Sequence, residues 1–360
     1  MTIGDKIKQY RLNKSLSLQN LATLAGLSKA TIQQYEDGAI KPSNKALIGV
    51  AQALNINIWN LFPNSDNELE IAEFRHGEKL EDADLEKKKI YGLVIDQSER
   101  YVEIEQLLDS EIDFENPLDN DVVISNYSDV EKAAAKIRKK WKLSDLPIDD
   151  VSSLLEEKGI RIITFNRDTQ SPGACGFLKN GTKSIPFIIL NNNHDHVREV
   201  TRKRFTILHE SAHLIFKFAE SVDKELEERL CNRFASAFLL PTESLYNYLG
   251  KNRTNISIEE LKGLKEKYGI SVLSIIYRAR QTGLIDRETC DRWESLYDSW
   301  YSRGEEFGTY NKSKEEPGRF NRLVTRGYME KRISKEKASE LLNVSIEELG
   351  RRFKSNLSMF

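Results

Sequence analysis

The sequence contains no apolar run approaching the ~18–20 residues that a membrane-spanning helix requires. Its opening stretch, MTIGDKIKQYRLNK, has no apolar core beside a small-residue cleavage site. Neither membrane insertion nor export is expected, which leaves the cytoplasm. Cysteine is scarce: Cys175, Cys231 and Cys290 are odd in number, widely spaced and without CxxC pairing, so they form neither a disulfide framework nor a zinc knuckle. No internal repeat or low-complexity tract is visible. Only five histidines occur in 360 residues, so two at ligand spacing carry weight.

What is present describes a globular chain with room for two or three domains: 39% of residues are hydrophobic and 31% charged. The net charge of -2 conceals an asymmetry. Lys6, Lys8, Arg11, Lys14, Lys29, Lys41 and Lys45 face only Asp5, Glu36 and Asp37 within residues 1–62, a basic module on an acidic body. Such a module suits a polyanionic partner.

Residues 2–62 read as five short helices. Ser17 is an N-cap before LQNLATL, Gly26 makes a turn, and Ser28 caps KATIQQYE. Leu21, Ala22, Leu27, Ile32 and Tyr35 would lock the two helices together. That leaves Lys29, Ala30, Thr31 and Gln34 facing outward, where a helix in the major groove of double-stranded DNA reads base edges. Ser17, Arg11, Lys14, Lys41 and Asn44 are candidates for phosphate contacts. The strings SLQNLATLAGLSKATIQQYEDG and KPSNKALIGVAQALNI resemble helices two to four of the lambda-repressor/Cro-like helix-turn-helix family, over residues 3–62. Leu18 departs from the polar residue that many members carry there.

Pro63-Asn-Ser-Asp-Asn reads as a linker, and Glu68–Lys89 and Tyr91–Asp109 as charged helices. This region, 63–120, is expected to be a solvated helical spacer or a dimerisation arm, and so a route to a homodimer. Beyond it, helices are expected at Ser128–Trp141 and Ile148–Lys158, strands at Arg161–Phe165, Gly176–Leu178 and Ile185–Leu190, and helices near 202–218, 224–239 and 257–281. A helical pair is expected at Ser334–Phe353.

The chemistry concentrates in RFTILHESAHLIFKF. Its pattern is apolar nearly all round and therefore that of a buried helix. His209 and His213 stand at i and i+4 on one face and can grip one ion, while Glu210 projects beside the water on that ion as general base. Two buried imidazoles flanking a buried carboxylate are costly without a cation. A third ligand comes from Glu227 or Glu228 in the next helix, with His194 and His196 as rivals in a polar loop. Helical phase does not separate the two glutamates. Asn232, one turn beyond Glu228, could accept the far imidazole proton of a ligating histidine, which favours Glu228. Tyr246, Tyr248, Tyr277 and Arg278 are candidates for stabilising an oxyanion. Arg202 and Arg204 could meet substrate carboxylates or simply lie in solvent. Cys175, in GACGF, reads as a small packing residue, with capping of the metal by its thiolate as the rival.

RFTILHESAH and ERLCNRFASAFLLP resemble the paired motifs of the ImmA/IrrE family of metallopeptidases, with Cys231 in place of the usual Ala. The resemblance runs from about 128 to 282 and includes LLEEKGIRIITF, GACGFLKNGTKSIPFIILN and SVLSIIYRARQTGLI. The tail LVTRGYMEKRISKEKASELLNVSIEEL resembles that of members carrying the same N-terminal domain. The resemblance implies His209, His213 and Glu228 as ligands of Zn2+, or of another divalent ion such as Mn2+, with Glu210 as base. It also implies a protein substrate, often a helix-turn-helix repressor of a stress, phage or mobile-element operon. Ile185–Leu190 is read as an edge strand that could take an extended peptide by β-augmentation.

The expected fold class is multidomain and mainly α. An all-α helix-turn-helix domain (1–62) and the spacer (63–120) precede an α+β zincin-like domain with a small sheet (121–285) and a helical C-terminal region (286–360). The expected function is a DNA-tethered zinc endopeptidase that cleaves a regulatory protein or itself. The competing reading is a non-cleaving repressor or antitoxin-like protein whose metal domain only senses. The presence of Glu210 favours the enzyme, since a site that only binds metal has no need of a base.

Overall fold

The computed structural model describes residues 2–56, 58–61, 69–74, 85–166, 172–180, 183–251, 253, 255–301, 307–312 and 314–357. The chain forms two compact units: one of residues 1–112, 177–185 and 318–360, the other of 113–176 and 186–317. Among the described residues no helix is long and apolar enough to cross a membrane. The Pro63–Asn67 linker lies outside the described residues.

In the first unit, α1 (Ile3–Asn13), α2 (Leu18–Ala25), α3 (Lys29–Glu36) and α4 (Asn44–Leu54) are followed by a 3-10 turn at Ile58–Leu61. The capping residues act where the sequence places them. The side chain of Ser17 accepts from Asn20 N, that of Ser28 from Thr31 N, and Gly26 ends α2 in the left-handed conformation (φ 66°, ψ 31°). Ile7, Leu21, Ile32, Val50 and Leu61, each 0% exposed, lie in the core they enclose.

Of the region expected as helices at 68–89 and 91–109, Leu69–Phe74 is instead a strand, β1, and Leu85–Leu107 is one helix, α5. α5 is no solvated spacer. Tyr10 Oη donates to Asp96 at 2.6 Å and Lys6 pairs with Glu99 at 2.6 Å, which docks α1 on α5. Burial tends to raise the Glu99 carboxyl, and despite the opposing Lys6 ammonium it stays above its ordinary value.

The second unit holds α6 (Tyr127–Lys140), α7 (Val151–Glu157), β2 (Arg161–Phe165), the first half of β3 (Gly173–Asn180) and most of β4 (Lys183–Asn191), α8 (Asp195–Arg198), α9 (Val200–Ile215), α10 (Lys224–Leu239), α11 (Thr242–Leu249), α12 (Ile258–Tyr268), α13 (Val272–Gln281) and α14 (Arg287–Tyr301). The sheet runs β1-β3-β4-β2, with β2 parallel to β4 from Arg161 opposite Phe187 to Phe165 opposite Asn191. β4 is thus an interior strand, and the notion of Ile185–Leu190 as an open edge is corrected: its backbone groups already pair on both sides. β3 passes close to α9, for a Cβ on Gly173 would sit 2.9 Å from Ile189 O and 3.4 Å from Thr206 Cγ2.

α9 begins at the N-cap Glu199, whose side chain accepts from Arg202 N, and packs most extensively on α10, capped by Asp223. Phe216 meets Phe234 edge-on at 5.0 Å, and Phe234 meets Phe238 at 5.1 Å. Arg204 lies neither in solvent nor open to a substrate. It is 0% exposed, ion-paired with the equally buried Glu315, and under the ring of Tyr310 at 4.8 Å. Glu315 also accepts from Val151 N and Ser152 N at 2.9 Å, tying the segment before residue 318 to the start of α7 and to α9.

The chain returns to the first unit as α15 (Arg319–Met329), α16 (Lys335–Leu342) and α17 (Ile346–Leu357). Leu323, Val324, Ile333, Ala338, Leu341, Leu349 and Phe353 share a core with Tyr101 and Ile104 of α5 and with Leu108 just beyond it. Arg100 Nη1 donates to Leu341 O at 2.6 Å, and Arg319 pairs with the buried Glu105.

Candidate metal centre and nucleic-acid interface

Because α9 and α10 pack along their lengths, they set His209, His213 and Glu228 side by side, with ligating atoms all within 4.8 Å of one another. His209 Nε2 is 3.1 Å from Glu228 Oε2, His213 Nε2 is 3.4 Å from Glu228 Oε1, and the two Nε2 atoms are 3.3 Å apart. Donors on one edge of a tetrahedron with bonds of about 2.0 Å stand roughly 3.3 Å apart. The far nitrogens are engaged elsewhere. His209 Nδ1 meets Asn232 Oδ1 at 3.0 Å and His213 Nδ1 meets Glu227 Oε1 at 2.9 Å. With the Nδ1 protons donated to these oxygens, both Nε2 lone pairs and a carboxylate converge on one point, an arrangement that suits a divalent cation.

The same proximity shifts the titration of these groups when they share protons rather than an ion. Burial by itself would lower the His209 imidazole, but Glu228, with Glu210 and Asn232, holds it above its ordinary value. Hydrogen bonds from His209, and then His213, hold the Glu228 carboxyl far below the usual carboxylate range. His213 is 2% exposed at its side chain while Glu228 is 45% exposed, so the donor set is buried on one side and open on the other. Glu210 is 8% exposed, and among the described residues no hydrogen bond holds its carboxylate.

The sequence favours Glu228 over Glu227 because Cys231, rather than a polar residue such as Asn232, stands one turn beyond Glu227. Its role beside His213 does not need that neighbour, since its own carboxylate reaches Nδ1. Cys231 Sγ lies 3.6 Å from the same nitrogen. Cys175 is buried on β3 and His194 is half-buried, and neither belongs to the converging donors. The side chain of His196 lies outside the described residues. Three of the oxyanion candidates are otherwise engaged: Arg278 is 0% exposed and bound to Glu131, Thr242 and Leu240 O, Tyr246 donates to Thr282 O, and Tyr277 to Glu294. Tyr248 is 39% exposed and lies under the Lys267 ammonium.

On the helix-turn-helix, Lys29, Ala30, Gln34 and Lys41 are exposed, as are Ser17 and Lys14, while Thr31 is half-buried with Oγ1 2.8 Å from Ser28 Oγ. Arg11 is no phosphate contact. It is buried, with Nε and Nη2 on the Glu36 carboxylate at 2.6 and 2.7 Å and Nη1 on Leu16 O at 3.0 Å. The Asn44 side chain lies outside the described residues.

Comparison with known proteins matches residues 7–58 to the helix-turn-helix family model and residues 155–280 to that of the IrrE N-terminal-like domain of peptidase family M78. A provisionally named HTH-type transcriptional regulatory protein of Methanobrevibacter smithii is 26% identical over 181 residues. That stretch is 49% of this chain and 52% of the relative, so the chain spans about half of that protein's length. The apo form of ComR from S. thermophilus aligns over 95% of this chain and 90% of its own at 13% identity, with a TM-score of 0.17, too low to bear on the fold.

Proposed function

Because the chain joins a helix-turn-helix domain to an IrrE N-terminal-like peptidase domain, we propose that it is a DNA-bound regulator whose second domain is a zinc-dependent endopeptidase acting on a regulatory protein. The convergence of His209 Nε2, His213 Nε2 and a Glu228 carboxylate within 4.8 Å carries this reading. His209, His213 and Glu228 would hold the ion, which when bound supplies an acidified water and a Lewis acid for the peptide carbonyl.

The residues of the chain do the rest. Glu210, adjoining His209 on α9, accepts the proton of the attacking water and returns it to the departing amine. Asn232 and Glu227 fix the tautomer and orientation of the two imidazoles. The half-exposed side of Glu228 leaves room for substrate. Lys29, Ala30, Thr31 and Gln34 face the bases of double-stranded DNA, with Ser17 and Lys41 on phosphate. A repressor, or the chain itself, is the protein substrate proposed.

The test is incubation of the full chain, loaded with Zn2+, with helix-turn-helix repressors encoded beside it, alongside Glu210→Gln. That variant should bind zinc as well as the parent does and yield no fragments. Fragments from both proteins would remove Glu210 from the chemistry, and fragments from neither would leave the metal domain as a sensor.

A further inference from the structure

The last three helices repeat a pattern seen at the start of the chain. α2 begins at the N-cap Ser17, runs eight residues and stops at Gly26 in the left-handed conformation, and Ser28 caps the next helix. α16 begins at the N-cap Ser334, runs eight residues and stops at Asn343 in the same conformation (φ 51°, ψ 46°). Ser345 then accepts from Glu348 N at 3.1 Å, as Ser28 does from Thr31 N at 3.0 Å. The turn bonds also correspond: Leu27 N donates to Ala22 O at 2.9 Å, and Val344 N to Ser339 O at 3.1 Å. Asparagine is a residue other than glycine that accepts this conformation readily. Two buried positions match, Leu21 with Ala338 and Ile32 with Leu349, all 0% exposed. Each pair follows a longer helix, α1 or α15, that leads into a left-handed residue, Ser15 (φ 55°) or Lys331 (φ 57°).

We propose that α15–α17 form a second helix-turn-helix, with α17 entering the major groove of double-stranded DNA. Charge favours DNA over a protein partner: residues 318–354 carry ten Lys/Arg against five Glu, an excess like that of the N-terminal domain. Arg351 occupies the place of Gln34 and is exposed. Gly350 leaves open space where a Cβ would stand, so a duplex can come close to the helix there. The Glu348 carboxylate is taken up by Arg352 on the next turn, while the exposed Arg351 can read guanine in the major groove. The site therefore selects G·C pairs. α5 carries both motifs, α1 through Asp96 and Glu99 and α15–α17 through Tyr101, Ile104 and Glu105.

The experiment uses the full chain and a fluorescent duplex of mixed sequence, titrated at several salt concentrations. Arg351→Glu is tested alone and together with Lys29→Glu and Gln34→Glu, which disable the N-terminal motif and so separate the two readings. Arg351→Glu should weaken binding about tenfold near 0.1 M salt in either background, with the melting temperature unchanged because the residue is exposed. A photo-crosslinker at position 351 should attach to DNA. Binding unaffected by Arg351→Glu in both backgrounds, or a crosslink that joins two copies of the chain, would overturn the proposal.

Discussion

The proposed metal centre and the proposed recognition helix α3 differ in what holds their side chains. At the metal centre every ligating group is gripped by another element: α10 supplies Glu228 to both imidazoles, and Asn232 and Glu227 to their far nitrogens. On α3 the outward residues Lys29, Ala30 and Gln34 project into solvent. A preorganised site loses most when one member goes, because the rest were arranged around it. An exposed reading face loses one contact at a time.

Removal of Glu228 should therefore have the largest effect. Glu228→Ala takes away the only carboxylate among the converging donors and should abolish both tight zinc binding and proteolysis, as read by zinc titration and fragment formation. Zinc affinity that survives the substitution would place the third ligand elsewhere and dissolve the contrast.

Arg11→Ala comes next. Arg11 belongs to the basic module but behaves like a residue of the buried site, bonded twice to Glu36 and once to Leu16 O. Breaking a buried pair by removing one partner costs about 3–5 kcal/mol. Urea denaturation of the variant should show a loss of this size, whereas a solvent-exposed phosphate contact would change the salt dependence of DNA binding and leave stability alone.

How much of this was legible in the sequence follows the same division. Local signals could be read: the serine caps, Gly26 and the i,i+4 spacing of His209 and His213 depend on neighbours in the chain. What failed depended on distant partners. Nothing near Arg11 or Arg204 in sequence announces Glu36 or Glu315, and nothing within Ile185–Leu190 says that β2 and β3 flank it. The charged pattern of α5 reads as solvated because its partners, α1 and α15–α17, lie far off along the chain. The proposed second helix-turn-helix is not visible as a sequence repeat, because only Ser17 and Ser334, Leu24 and Leu341, and Ser28 and Ser345 are identical between 17–36 and 334–353. What persists is backbone geometry, which tolerates many side chains.

Asn232→Ala and Glu227→Ala probe the outer layer of the metal centre. The sequence, in favouring Glu228 as ligand, gives Glu227 no role at the site, but the Glu227 carboxylate lies 2.9 Å from His213 Nδ1. Each variant should lose roughly 10–100-fold in zinc affinity or rate. Because His213 is the more buried imidazole, at 2% against 15% exposure, Glu227→Ala should be at least as damaging as Asn232→Ala. A silent Glu227→Ala would show that burial alone orients His213.

The smallest effects belong to the reading face. Gln34→Ala removes a side chain that can pair with adenine, and should relax preference at one base pair by about 1–3 kcal/mol without altering the rest of the site. Lys41 lies beyond α3 and is exposed, so its replacement by Ala should weaken all sequences alike and flatten the salt slope by about 1. Selection of bound duplexes from a random pool separates the two, since the Gln34 variant changes the selected sequence and the Lys41 variant only its affinity. If Lys41→Ala changed the selected sequence instead, the lysine would be reading bases, and the groove-facing surface would extend past α3 toward α4.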